Sequence, residues 1–173
     1  MLDIGIDLDR THDAAARSWL PTAQVAGTDF PIQNLPLGIF RCGTAGSSTP
    51  GLAIGDQVLD LSAALNTGLF DGQAAQAVRW LQGGRLNPLM AADPAFVQAL
   101  REAAFDLLVL GSPEQARAQP CLRAMAAVQM LLPADVGDFS DFSVSRAHNA
   151  TLGKVAQREV ALHNCQNKKK PEY

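Results

Sequence analysis

Carboxylates, one arginine and one histidine are concentrated in residues 135–148, where they alternate with two phenylalanines. Asp141 carries oxygen atoms of the kind that Mg²⁺ and Ca²⁺ prefer as ligands. An imidazole can take a proton from water at neutral pH, which makes His148 a candidate general base. These residue types therefore suggest metal-assisted hydrolysis as one chemistry that the segment could support.

The spacing alone leaves a second interpretation open. Asp138 or Ser140 could cap a helix, and Asp141 and His148, seven residues apart, would then share one face of it. In an irregular segment the same two side chains could still converge on a cleft. Equally, helix capping and a surface ion pair between Arg146 and Asp138 or Asp141 would explain these residues without any catalysis.

Composition limits the classes of protein that can present such residues. The chain has 173 residues, of which 47% are hydrophobic and 18% charged, enough for one domain with a core or for one domain and part of a second. The net charge of −3 disfavours nucleic-acid binding through phosphate contacts. There is no run of about twenty apolar residues, so we expect no membrane span.

Cysteine usage and the amino terminus indicate a cytoplasmic protein. Cys42, Cys121 and Cys165 are odd in number and far apart, which argues against a disulfide framework and against a zinc site. The first residues are acidic and lack the basic and apolar regions of a signal peptide.

The order of elements predicts an α+β fold. A short strand is expected at Leu37–Cys42, and the Gly55-Asp56 pair between two apolar runs predicts a β-hairpin over Gly51–Leu61. Helices follow, and a further strand is predicted within Met125–Leu132. Strands, then helices, then a strand again are typical of α+β architecture.

Three helices are predicted between the two β regions. Ser62 is expected to cap the first, over Ala63–Asn66, and the second covers Asp71–Gln82. Asp93-Pro94 should open the third and longest helix. Its apolar stripe is made of Phe96, Val97, Leu100, Ala104, Leu107 and Leu108.

Basic-residue usage changes near residue 153. Lys is absent before Lys154, whereas Lys168–Lys170 and Lys154 all lie in the last twenty residues. A solvated carboxyl-terminal tail would explain this change. A truncated or frame-shifted end would explain it too, and is the preferred interpretation because the resemblance described next stops at the same place.

Four segments resemble, in the same order, the amino-terminal part of the fumarylacetoacetase family. They are DFPIQNLPLGIF (29–40), GLAIGDQVLDL (51–61), LNPLM (86–90) and LPADVGDFSDFSVSRAHNATLG (132–153). The resemblance implies a small SH3-like β-barrel with helices, followed by the truncated start of a β-rich catalytic domain. The expected parts are a polar amino-terminal segment (1–18), the SH3-like domain (19–133), the start of the catalytic domain (134–153) and a divergent Lys-rich tail (154–173).

The resemblance also implies roles for individual residues. Asp141 matches the family's first metal-ligating Asp, and His148 matches the His that activates the attacking water. Ser143 stands where the family usually has a substrate-binding Tyr. The substrate-binding Arg of the family falls at Gln157, with Arg158 one position late, so that both substrate contacts are doubtful here.

The family's activity is hydrolysis of a carbon–carbon bond in a small β-diketo acid, yielding fumarate and acetoacetate, by a homodimer that uses Mg²⁺ or Ca²⁺. One carboxylate cannot supply the six or more oxygen ligands that these ions need. We therefore expect these residues by themselves to bind no such metal and to have little or no activity. The rival hypotheses are a non-catalytic folding or dimerisation module, a partner of a separate catalytic half, and another member of the wider superfamily.

Overall fold

The computed structural model of the chain describes residues 8–137 and 145–155. The chain divides into two compact units, residues 1–135 and residues 136–173. The first unit contains a sheet and five α-helices among its described residues, and the described part of the second contains one helix. This mixture confirms the α+β class. The predicted boundaries after residues 18, 133 and 153 stay predictions.

The sheet of the first unit is antiparallel throughout and has the order β4-β3-β2-β1-β5. A one-turn 3₁₀ helix, Met125–Ala127, connects β4 to β5, although these strands form the two edges of the sheet. Joining opposite edges through so short a turn requires the sheet to curl into a half-barrel. The strands are β1 (Leu37–Cys42), β2 (Thr49–Ile54), β3 (Gln57–Asp60), β4 (Leu122–Ala124) and β5 (Val128–Leu131).

The β2–β3 hairpin confirms the prediction from the Gly-Asp pair. Ile54 is paired with Gln57, so that Gly55 and Asp56 form a two-residue turn. Gly55 has φ +56° and its N–H donates to the Phe30 carbonyl at 2.7 Å. The Asp56 carboxylate accepts from the Thr22 hydroxyl at 2.7 Å. The turn is therefore held against the segment that precedes the sheet, as well as by its own geometry.

Five α-helices of the first unit are α1 (Leu61–Asn66), α2 (Gly72–Trp80), α3 (Asn87–Met90), α4 (Pro94–Leu108) and α5 (Gln115–Ala118). The expected cap of α1 was wrong: α1 begins at Leu61, two residues before the predicted start, and its capping residue Asp60 accepts from the Ala63 N–H at 2.9 Å. Ser62 instead donates to Gln82. Across the described ranges, no helix combines the length and apolar character that a membrane crossing requires.

Helix α4 is the longest helix among the described residues and begins where the Asp93-Pro94 pair predicts. The Asp93 carboxylate accepts from the Ala95 N–H at 2.9 Å. Its buried face differs from the predicted stripe at two positions, because Val97 is exposed whereas Phe105 is buried. Phe105 belongs to the apolar core, and Arg10 of the amino-terminal segment lies over its ring, with Cζ 5.7 Å from the ring centroid.

One apolar core joins the sheet to the helices. Helices α2 and α4 pack on each other, and Trp80 and Phe96 place their rings 4.6 Å apart at one end of this contact. Side chains that are almost completely buried come from every layer, namely Leu52, Ile54, Leu59, Leu61, Val78, Leu81, Leu100 and Leu108. The first unit therefore has a core of its own.

The amino-terminal segment docks on α4 through polar groups, although its sequence offers little to bury. Thr11 and Ser18 are buried. The Thr11 hydroxyl accepts from Arg101 Nε at 2.8 Å, and the Ser18 hydroxyl donates to the Leu108 carbonyl at 2.7 Å. Arg10 forms a two-point ion pair with Asp106. Partners in the segment thus satisfy polar groups along α4 that water would otherwise solvate.

Asp9→Asn should make the stability of the fold less sensitive to a fall in pH through the acidic range. The Thr11 hydroxyl donates to the Asp9 carboxylate and, together with the Thr11 N–H, Gln98 and His12, holds its pKa well below the usual range. Because this pKa is lower in the folded than in the unfolded chain, the carboxylate stabilises the fold above about pH 4, and this contribution is lost as the pH falls towards the folded-state value. The urea midpoint should therefore fall less between about pH 7 and about pH 2 in the variant than in the wild type.

Asp71→Asn is the matched control for this comparison. Asp71 precedes α2, is exposed, and makes no capping hydrogen bond with its side chain. Its replacement should leave the acid-induced fall in midpoint as it is in the wild type. An equal fall in Asp9→Asn and the wild type would contradict the role given to the Thr11 hydrogen bonds.

Gly55→Ala should lower the free energy of unfolding by at least about 1–2 kcal/mol, the cost of a left-handed conformation for a residue with a Cβ. A Cβ at this position would also contact the Thr22 hydroxyl and lie 2.7 Å from the Ala23 nitrogen. Gly43→Ala is the control, since Gly43 has φ +63° with open space around it. Urea denaturation should show a larger loss for Gly55→Ala, and equal losses would contradict the close contact with residues 22–23.

Candidate functional site

Of the four predicted site residues, His148 lies within the described part of the chain. Asp141 and Ser143 fall in residues 138–144, and Arg158 follows residue 155. These three predictions therefore lie outside the described residues. The expected capping residues Asp138 and Ser140 lie outside them as well.

His148 belongs to helix α6, Arg146–Val155, in the second unit. Its backbone N–H donates to the Ser145 hydroxyl at 3.3 Å. Ser145 therefore acts as the residue that caps α6, which begins five positions after Asp141. Asp141 lies outside the described residues, so the helix face that Asp141 and His148 are expected to share stays a prediction.

The imidazole of His148 is exposed to solvent. Within residues 145–155, no carboxylate or carbonyl makes a hydrogen bond with the ring. A general base needs such a partner to fix the tautomer and the direction of its ring. The described residues thus present the imidazole to water without orienting it.

A metal centre is not assembled by the described residues. Among residues 8–137 and 145–155, no group of three or more His, Cys, Asp or Glu side chains lies close enough together to hold an ion. Mg²⁺ and Ca²⁺ require about six or more oxygen ligands. The described ranges therefore include no such set of ligands, and Asp141, the predicted ligand, lies outside them.

The LNPLM motif holds the chain just ahead of the candidate catalytic segment. We call residues 133–135 the exit segment and residues 85–87 the clasp. The Leu86 N–H donates to the Pro133 carbonyl at 2.7 Å. The Asn87 side chain donates to the Asp135 carbonyl at 2.9 Å and accepts from the Asp135 N–H at 2.8 Å. Arg85 Nε donates to the Asp135 carboxylate at 2.8 Å.

An apolar pocket of about 250 Å³ opens on the sheet. Gly38 and Gly51 leave space in its wall, and Phe40, Val58 and Met130 are among the side chains around it. Every residue that lines it is apolar. The pocket could accommodate an apolar group, but its lining offers no side chain for acid–base chemistry.

Comparison with sequence families shows to which family the first unit is related. The family described as "Fumarylacetoacetase N-terminal" matches residues 33–133. The chain belongs to this family. The match includes the strands and the helix that the sequence predicts most clearly, namely β1, β2, β3 and α4.

The chain is also similar to curated proteins that are named fumarylacetoacetase. Fumarylacetoacetase of Mus musculus is 38% identical over 144 residues, which cover 79% of this chain and 33% of the relative. Fumarylacetoacetase of Oryza sativa subsp. japonica is 37% identical over 139 residues, covering 75% and 32%. That of Homo sapiens is 37% identical over 146 residues, covering 79% and 33%. The chain spans about a third of the length of the curated relatives it matches.

The family match confirms the resemblance and ends before the candidate catalytic residues. It stops at residue 133, eight residues ahead of Asp141 and fifteen ahead of His148. The roles of Asp141, Ser143, His148 and Arg158 therefore stay predictions. Sequence inspection missed the clasp, because Asn87 and Asp135 are 48 positions apart and neither belongs to a recognisable pair.

His148→Ala should leave helix α6 intact. The replaced ring is exposed, and Ala has the higher helix propensity, so that the change in free energy should stay below about 0.5 kcal/mol. Ser145→Ala removes the capping hydroxyl and should cost about 0.5–2 kcal/mol of helix stability. Cα chemical shifts of residues 146–155 report the helical population. A loss in His148→Ala as large as in Ser145→Ala would contradict the placement of the ring in solvent.

Proposed function

We propose that this chain is the amino-terminal part of a fumarylacetoacetase. The whole enzyme would hydrolyse a carbon–carbon bond of 4-fumarylacetoacetate to fumarate and acetoacetate, in tyrosine and phenylalanine catabolism. The observation that carries the proposal is the family match over residues 33–133, with curated fumarylacetoacetases up to 38% identical over most of the chain.

The first unit would be an SH3-like barrel with added helices. Its five antiparallel strands, with a one-turn 3₁₀ connection between the two edge strands, support this assignment. Helices α1 to α5 cover one side of the curled sheet through the common core. The remaining open side carries the apolar pocket.

His148 would take a proton from the attacking water. Its exposure in α6 supports this role, since water reaches the ring directly. Asp141 would be a ligand of Mg²⁺ or Ca²⁺, and Ser143 and Arg158 would contact substrate at positions that differ from the family pattern. Because the described residues do not form a metal site, we assign no step of the reaction to the ion.

These 173 residues by themselves would have little or no hydrolase activity. One carboxylate, at Asp141, cannot complete the coordination of Mg²⁺ or Ca²⁺. Within residues 145–155, no carboxylate or carbonyl orients the His148 ring. The missing ligands would have to come from residues beyond these.

A non-catalytic role as a folding or dimer-contact module is the second candidate. Its support is the complete apolar core of the first unit, which runs from Leu20 to Cys121 and so precedes every candidate catalytic residue. A cytoplasmic location and a homodimer are further proposals, supported by cysteine usage and by family membership respectively. Cys42 and Cys121 are both free thiols in the structure.

The proposed enzyme is best tested with a chimera. Residues 1–153 of this chain would be joined to the part of mouse fumarylacetoacetase that follows its matched region. The chimera should hydrolyse fumarylacetoacetate in the presence of Mg²⁺ or Ca²⁺, whereas the 173-residue chain alone should not. His148→Asn in the chimera should lower kcat by a factor of about 100 to 10,000, the usual contribution of a general base.

Asn66→Ala supplies the matched control for the chimera. Asn66 is an exposed residue at the end of α1, remote in sequence from the candidate site. This variant should keep the activity of the parent chimera. A folded but inactive chimera would contradict the enzyme proposal, and turnover by the 173 residues alone would contradict their proposed inactivity.

A further inference from the structure

The clasp binds the exit segment much as a neighbouring β-strand would. The Asn87 amide accepts from one backbone group of Asp135 and donates to the other. Two residues earlier, the Pro133 carbonyl is bound by the Leu86 N–H. Because Pro133 has no N–H, these three hydrogen bonds pair every polar backbone group of Pro133 and Asp135.

Asn87 is the central residue of this arrangement. Its two hydrogen bonds go to the backbone, and they fix both the position and the direction of the chain at Asp135. Arg85 adds an ion pair, but its side chain and that of Asp135 are 43% and 75% exposed. An ion pair so exposed is screened by water and salt and contributes little.

The clasp binds the chain shortly before the candidate catalytic segment begins. Asp135 is the last residue of the first unit, six positions before Asp141 and thirteen before His148. Fixing Asp135 fixes the point from which the chain runs into that segment. Without the clasp, this point would be free to move with the residues after β5.

We propose that Asn87 is a positioning residue: through Asp135 it sets the point and direction from which the chain enters the segment that carries Asp141 and His148. The catalytic meaning of this role rests on the proposed function. The holding of the exit segment by Asn87 does not, and it can be measured in the 173-residue chain alone.

Amide hydrogen exchange tests the proposal directly. In Asn87→Ala, the Asp135 amide should exchange about tenfold faster or more, as expected from the loss of one or two hydrogen bonds that hold it. Amides of the buried strands, such as that of Leu59, should change much less. Asn87→Asp keeps an acceptor for the Asp135 N–H and loses the donor, so that its effect should be smaller. Asn66→Ala, whose side chain makes no hydrogen bond to a described residue, is the control.

A distance measurement reports the positioning itself. Spin labels would be placed on the exposed Cys42 and on Ala134→Cys in the exit segment, with Cys165 replaced by Ser and Cys121 protected by burial. Asn87→Ala should broaden the distance distribution between the two labels, whereas Arg85→Ala should broaden it less. Asn66→Ala should leave it unchanged.

The outcomes separate positioning from simple stabilisation. Unchanged exchange at Asp135, or an increase shared equally by the whole core, would overturn the proposal, as would an unchanged distance distribution. If Asn87→Ala does not fold, the same comparison is made with Asn87→Asp. Both measurements need no substrate, so that an inactive chimera would refute the proposed function and leave this result untouched.

Discussion

The connection between β4 and β5 is the constraint on which the first unit depends. Three residues, Met125–Ala127, carry the chain from one edge of the sheet to the other. Such a short link is compatible only with a curled sheet, since the edges of a flat five-stranded sheet lie about 19 Å apart. The curl leaves room for the pocket beside Gly38 and Gly51, and it sends the chain after β5 towards the clasp, where Asn87 binds Asp135.

Polar contacts determine where the outer segments of this unit lie. The core supplies most of the stabilisation through buried apolar area. It does not by itself dictate how residues 9–18 or 133–135 run, because these residues bury few apolar side chains. Directed hydrogen bonds determine the path of these segments. Thr11 binds Arg101 in the first, and Asp135 binds Asn87 in the second. The positions of both segments therefore depend more on hydrogen bonds than on buried apolar area.

Local signals in the sequence predicted much of the fold. The Gly55-Asp56 turn and the Asp93-Pro94 start of α4 depend on neighbouring residues, and both predictions were confirmed. The burial of Phe105 was missed because it depends on core contacts with elements distant in sequence, and the clasp was missed because Asn87 and Asp135 are 48 positions apart. The cap of α1 was assigned to Ser62 because Ser and Asp are equally good capping residues. The sequence alone does not show at which of the two the helix begins.

The candidate site was less predictable than the fold, for a physical reason. Residue types near His148 allow both catalysis and helix capping, and only the positions of partners distinguish the two. The described structure adds one fact to this choice: the His148 N–H donates to the Ser145 hydroxyl at the start of α6. An exposed imidazole without a described partner contributes little to stability.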